Sequence, residues 1–315
     1  MRIILIGQAL FGARTFEELP ASGEDVIAVY TPPGSPESKP NALKEAAHAQ
    51  GVKTVIAEPG AYKNDEVFRE FAAMRPDLVV LAYVPFILPV RYFAAASRGA
   101  ICYHPSLLPR HRGASAINWA LIKGESRTGL TIFWPDERMD AGPILLQREI
   151  DIGPHDTMGS IYFDRLFPLG VEAIVESAKL IRQGKAPRIA QDESISTYEP
   201  RCDDRFAGID WECPGRRIYD LIRGCDPHPG AYSKFREELV RFYGASFVPG
   251  KIGGGIDLAP GVVTGLDLKG LRIAVDGGEL LVTKVHVPAA GKVDAASWAQ
   301  YAGVWPGERF GGSSK

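Results

Sequence analysis

The sequence predicts an α/β protein: a Rossmann-like, mostly parallel sheet, followed by a second, smaller β-barrel domain of OB-like type. Three observations predict it. Through the first half of the chain, short apolar runs alternate with helical patterns, as βαβ units require. After Gly184 that texture gives way to short apolar segments separated by glycine-rich turns, the pattern of a small β domain. With 45% apolar and 23% charged residues over 315 positions, the chain can bury one large core and a companion. We expect the first domain at 1–203, the second at 204–309, and a disordered tail at 310–315.

The elements follow in order. Arg2–Gly7, 26–30, 52–56, Leu78–Ala82 and Ala100–His104 read as buried strands, and 15–19, 42–50 and 65–74 as helices between them. Arg127–Phe133 and 144–150 read as two further strands joined by the loop 134–143. A long helical pattern covers 156–184, with Pro168 set to kink or split it. Residues 185–204 read as an extended connector or final strand, and 210–223 as a helix behind Trp211. The second domain's strands are expected near 239–243, 261–265, 271–275 and 280–285, with turns at Gly253-Gly254-Gly255 and Gly277-Gly278. Open sheets of this kind place their sites beyond the carboxyl ends of the strands. The informative loops are therefore those after Gly7, Ala82 and His104.

Composition excludes several classes. The net charge of −2 gives no bias toward a polyanionic partner. No apolar run is long enough for a bilayer-spanning helix, so we expect no membrane partner and place the chain in the cytoplasm. Cys102, Cys202, Cys213 and Cys225 lack the close spacing of a metal or redox site. No metal is expected, and each cysteine reads as a reduced thiol packed as a small hydrophobe. The turn after the first strand, Gly7-Gln8-Ala9-Leu10-Phe11-Gly12, lacks the middle glycine of a dinucleotide fingerprint, and Thr31-Pro32-Pro33 stands where an acidic residue is wanted. Gly7 and Gly12 read equally as a tight turn or as a helix start able to meet an anion.

One stretch concentrates chemistry: Cys102-Tyr103-His104-Pro105-Ser106-Leu107-Leu108-Pro109-Arg110-His111-Arg112-Gly113, in which an apolar strand ends in a histidine and a donor-rich loop. With Asp140-Ala141-Gly142-Pro143 on the later loop, these residues resemble the two signatures of the folate-dependent formyltransferase superfamily. Nearly the whole chain is similar to the hydrolase module of 10-formyltetrahydrofolate dehydrogenase, including Leu166-Phe167-Pro168, Ile209-Asp210-Trp211 and Pro229-Gly230-Ala231. The resemblance implies 10-formyltetrahydrofolate as formyl donor. It implies His104 as donor to a tetrahedral oxyanion, with Asp140 managing protons and orienting water. Cys102 stands where transferases of the superfamily carry an asparagine, and a thiol is a weak donor. That departure pulls the reading toward hydrolysis; we read the thiol as inert packing, with a thioformyl-ester nucleophile as the alternative.

The resemblance further implies a pterin held between the loop after the fourth strand and the aspartate loop. Tyr83, Val84, Phe86, Ile87 and Leu88 would supply one wall, and Pro135, Asp136 and Met139 the other. Residues 86–88 read equally as core leading into the next helix. Gln8, Ser106, Arg110, Arg112 and Gly113 are the candidates for acceptor contacts or loop formation, and the basic ones also read as a solvated surface. The expected acceptor is water or an amine. A methionyl-tRNA acceptor is disfavoured by the missing asparagine and by residues 31–41, whose only basic residue is Lys39. A sugar amine is the remaining transferase alternative. A folate-binding protein without catalysis would not need His104 together with Asp140.

Overall fold

The computed structural model describes residues 1–34, 41–84, 86–250 and 258–311. Lys39, the Gly253-Gly254-Gly255 turn and residues 312–315 lie outside them. The chain divides into two compact units.

The first unit comprises Met1–Ala114, Thr128–Ile150 and Phe163–Glu199. Its main sheet uses β1 (Arg2–Gly7), β2 (Asp25–Thr31), β3 (Lys53–Ile56), β4 (Leu78–Ala82) and β5 (Ala100–His104). A two-residue strand, β6 (Arg112–Gly113), lies apart, and β7 (Arg127–Phe133) and β8 (Ile144–Asp151) complete the sheet. The order is β3-β2-β1-β4-β5-β7-β8. Pairings from β3 through β5 are parallel, and β7 runs antiparallel to β5. Every residue of β4 is buried, as a strand covered on both faces demands. The strand order reverses between β1 and β4, so their carboxyl ends open a crevice there.

The glycines after β1 are packing devices. A Cβ on Gly7 would lie 2.5 Å from the Ala82 carbonyl oxygen, and one on Gly12 would lie 3.0 Å from Leu43 Cδ2. Close approach of strand to strand and helix to helix accounts for both. The helix expected at 15–19 runs from Ala9 to Ala21, because tertiary burial of Phe11, Phe16 and Leu19 extends it in both directions.

The long helical pattern is split as Pro168 required. A wide π turn covers Ile161–Leu166, and a regular helix occupies Phe167–Arg182 with the proline in its first turn. The connector after it forms only a 3₁₀ turn at Glu193–Ile195 and the short strand β9 (Tyr198–Glu199). β9 pairs with β6 in parallel.

The second unit comprises Ser115–Arg127, Asp151–Tyr162 and Pro200–Lys315. The division is thus not the single cut expected after residue 203. Two early segments belong here because they bond to the helix Gly215–Gly224 and the turn after it. The Asn118 side-chain amide donates to the Gly224 and His228 carbonyls at 2.8 and 3.0 Å, and Arg223 Nη1 donates to the Gly153 carbonyl at 3.2 Å. The helix begins at Gly215 rather than 210, after Pro214. There a Cβ would meet Val275 Cγ2 at 2.4 Å and the Asp276 oxygen at 2.5 Å.

Six strands form the antiparallel sheet of this unit: β10 (Ala231–Phe235), β11 (Glu238–Pro249), β12 (Val263–Asp267), β13 (Gly270–Val275), β14 (Gly278–Val287) and β15 (Gly291–Asp294). Their order is β10-β11-β14-β13-β12, with β15 paired to β14. Phe310, expected in the disordered tail, is wholly buried. Its ring packs on Phe235, Phe242, Trp211 and Trp298 at centroid separations of 4.9 to 6.4 Å. Aromatic burial of this extent holds the residue in the core.

Candidate active site

The register of three strands builds the floor of a cavity. Leu81 of β4 pairs with Cys102 of β5, and Cys102 pairs with Phe133 of β7. The three side by side line a cavity of about 250 Å³. The two-residue period of a strand puts Cys102 and His104 on one face and Tyr103 on the other. Tyr103 accordingly packs on Phe11, with ring centroids 4.5 Å apart.

His104 ends β5, is 5% exposed and also lines the cavity. Its Nε2 lies 2.8 Å from the His111 carbonyl oxygen. A carbonyl can only accept, so Nε2 carries a hydrogen and donates. That leaves Nδ1 for chemistry, and Nδ1 stands 3.6 Å from Asp140 Oδ2. The same Oδ2 accepts the Gly113 backbone N–H at 2.9 Å. Asp140 Oδ1 has no hydrogen bond among the described residues. The aspartate has a left-handed backbone, φ +51°, which a short polar side chain tolerates better than most.

Gly113 is irreplaceable on geometry. Its φ is +107°, and a Cβ would fall 2.3 Å from the Glu199 carbonyl oxygen of β9. The β6–β9 pairing therefore needs glycine, and that pairing points the Gly113 amide at the carboxylate.

The loop between His104 and Gly113 is fixed from within. Ser106 Oγ donates to the Arg110 carbonyl at 2.7 Å, and Thr131 Oγ1 donates to the Ser106 carbonyl at 2.7 Å. Thr131 also accepts from the Leu108 amide and from Gln147 Nε2, at 3.1 and 2.9 Å. Ser106 is wholly buried and acts as a staple for the loop, not as an acceptor contact.

Arg112 corrects the expectation more sharply. It is 9% exposed, so it is neither a solvated basic residue nor free to meet an acceptor. Its guanidinium is committed to Gln191 Oε1, at 2.8 and 3.2 Å, and to the Glu193 carboxylate, at 2.9 and 3.1 Å. Burying a guanidinium demands such partners. Arg110 stays exposed. Neither arginine lines the cavity, nor do Gln8 and Ser106, whereas Gly113 does.

All eight residues expected to hold the folate do line it: Tyr83, Val84, Phe86, Ile87 and Leu88 from one loop, Pro135, Asp136 and Met139 from the other. Phe86 also packs on Tyr62, with centroids 5.2 Å apart, so the core and lining roles coincide in it. Sequence reasoning missed Leu81, Phe93 and Phe133 in the lining. Leu81 and Phe133 were findable as strand-end residues sharing a register with Cys102. It also missed Gln191, which the sequence does not mark.

Burial, and then the nearby Asp140 carboxylate, push the Cys102 thiol well above its ordinary value. Sγ makes a weak 3.6 Å bond to the Tyr103 carbonyl. That favours the neutral thiol over the thiolate a cysteine nucleophile needs. Among the described residues, no cluster of His, Cys, Asp and Glu could hold a metal ion, and no helix is long and apolar enough to cross a membrane.

Fold and cavity point to one class of protein: an α/β fold in which the imidazole ending β5 faces a carboxylate beside a cavity. Residues 1–177 match the family model described as formyl transferase, and residues 202–303 match that of the formyl transferase C-terminal domain. The chain belongs to the formyl transferase family. It is 37% identical over 306 residues to the mitochondrial 10-formyltetrahydrofolate dehydrogenase of Mus musculus, covering 94% of this chain and 33% of that protein. It is 34% identical over 317 residues to the methionyl-tRNA formyltransferase of Moorella thermoacetica, covering 99% of both. The chain thus spans about a third of the length of the dehydrogenases it matches. Its fold is shared with HypX from Aquifex aeolicus, solved in complex with tetrahydrofolic acid, at a TM-score of 0.67 and 19% identity over 100% of this chain and 51% of that one.

Proposed function

We propose that the chain removes the formyl group from N10 of 10-formyltetrahydrofolate, with water as the acceptor. The observation that carries the reading is the convergence of His104 Nδ1 and Asp140 Oδ2, 3.6 Å apart, in a cavity whose lining joins apolar side chains such as Phe86, Leu88 and Phe133 to the charged Asp136 and Arg138. An amphiphilic heterocycle needs such walls, with a few convergent polar groups to orient it.

The residues divide the work as follows. Asp140, held at Oδ2 by the Gly113 amide, orients a water and takes its proton as the oxygen attacks the formyl carbon. His104, anchored through Nε2 to the His111 carbonyl and carrying a second proton on Nδ1 in the acting form, donates through Nδ1 to the oxyanion that develops. Collapse of the adduct expels N10, which takes up the proton held by Asp140, and the formic acid released ionises to formate. Cys102 supplies only a weak donor where an amide would strengthen oxyanion binding. Losing such a donor typically costs about 3 kcal/mol of transition-state stabilisation, a handicap more compatible with hydrolysis than with transfer. The setting we propose is the cytoplasm, in keeping with four free cysteines.

A second reading is methionyl-tRNA formyl transfer, which the relative matching 99% of both chains favours. Tetrahydrofolate release should be measured with water alone, with charged initiator tRNA and with amino sugars. Turnover in water alone, abolished in His104→Ala, is the expected result. Turnover only with charged tRNA would transfer the assignment to the second reading.

A further inference from the structure

Gln191 is 9% exposed and does not line the cavity, yet its side chain is saturated with bonds around the catalytic aspartate. Its Nε2 donates one hydrogen to the Asp140 carbonyl at 2.9 Å and the other to the Gly142 carbonyl at 2.7 Å. Its Oε1 accepts from Arg112 Nε and Nη2, at 3.2 and 2.8 Å. Arg112 is in turn held by the Glu193 carboxylate.

We propose that Gln191 is a positioning residue for the reaction, clamping the main chain of the Asp140 loop to the buried Arg112 so that the carboxylate stays in reach of His104. The proposal rests on the reading of His104 and Asp140 given above. Three features of the loop make a clamp necessary. Asp140 is in the left-handed region, where the backbone has no intrinsic preference to stay. The Gly142 backbone runs so close to Trp134 that a Cβ would sit 1.8 Å from that residue's carbonyl oxygen. And the carboxylate has a single short bond of its own, from Gly113.

The strand β6 therefore grips Asp140 twice. Gly113 holds the side chain directly, and Arg112, its neighbour, holds the main chain through Gln191. Only an amide can do this, because it presents two donors to the carbonyls and an acceptor to the guanidinium. A carboxylate of the same size would keep Arg112 but turn oxygen toward oxygen at Asp140 and Gly142.

That asymmetry supplies the test. Gln191→Glu keeps volume and the Arg112 pairing, so the fold should survive where Gln191→Ala would orphan three buried partners. Displacing a carboxylate by about an ångström costs on the order of 100-fold. We expect kcat for tetrahydrofolate release to fall about 10- to 100-fold, with KM for 10-formyltetrahydrofolate within about threefold of the parent. Because Gln191 acts through Asp140, the double variant Asp140→Asn/Gln191→Glu should be scarcely slower than Asp140→Asn alone. A merely structural role would add its full effect.

The amide resonance of Gly113 in a nitrogen–proton correlation spectrum reads the same clamp without turnover, and it should move in Gln191→Glu. A parent without activity toward any acceptor defeats the functional reading. An unmoved Gly113 resonance overturns the inference whatever the activity, as would an unchanged kcat in an active enzyme or additive loss in the double variant.

Discussion

Replacing Asp140 with asparagine separates the chemistry of the carboxylate from its part in holding the loop. In the native site Oδ2 accepts the Gly113 N–H at 2.9 Å and faces His104 Nδ1 at 3.6 Å. An amide oxygen can still accept from Gly113, so that bond persists with a neutral acceptor. Bonds to charged groups contribute about 1.5–3 kcal/mol and neutral ones about 0.5–1.5, a difference near 1 kcal/mol. In a unit of this size that lowers Tm by about 2–4 °C. The chemical loss is larger. An amide takes no proton from water, and general-base assistance is typically worth about 10²–10⁴-fold, or about 3–5 kcal/mol of barrier at 1.36 kcal/mol per decade. The assay is the rate of tetrahydrofolate release, with a thermal melt of the same preparation. A variant that melts within a few degrees of the parent and retains more than roughly a tenth of its kcat would refute the role given to the carboxylate.

Other outcomes follow from the same geometry. Gly113→Ala forces a side chain into φ +107° and toward the Glu199 carbonyl, 2.3 Å from its Cβ. We expect a loss of about 1–3 kcal/mol from backbone strain alone together with reduced turnover, read by thermal melting and kinetics; an unchanged Tm would contradict the β6–β9 contact. The Cys102 thiol is raised by burial and by Asp140, so it should resist iodoacetamide at neutral pH and gain no formyl mass on incubation with the donor. Its sign is that of a raised group: the stability of the neutral native thiol is complete below the unfolded value of about 8.5 and is lost as pH rises through the higher folded one. Rapid alkylation at pH 7, followed by peptide mass mapping, would contradict the raised thiol.

The sequence by itself determined the strands, their parallel pairing and the carboxyl-edge histidine. Each rests on local pattern: Ala100–His104 is an apolar run ending at a polar loop, and Leu78–Ala82 is apolar throughout, as a doubly covered strand must be. It also marked one wall of the cavity, because Tyr83 follows β4 and loops after the parallel strands of such sheets line the sites, whereas the wall at Asp136 was marked only by the family resemblance. Periodicity has a short range, and what it could not reach is where the corrections fall. Arg112 read as a surface base, yet it is buried by partners 79 and 81 positions away. Phe310 read as tail, yet rings from Trp211 to Trp298 enclose it. Residues 115–127 and 151–162 read as part of the first domain, yet they bond within the second unit. Only tertiary structure decided these, since a buried charge is tolerated when its partners are in place, and those partners arrive from distant parts of the chain that no local pattern connects. Gln191 is the clearest instance, a polar residue in an irregular connector whose place beneath Asp140 exists only once β6 and the aspartate loop have come together.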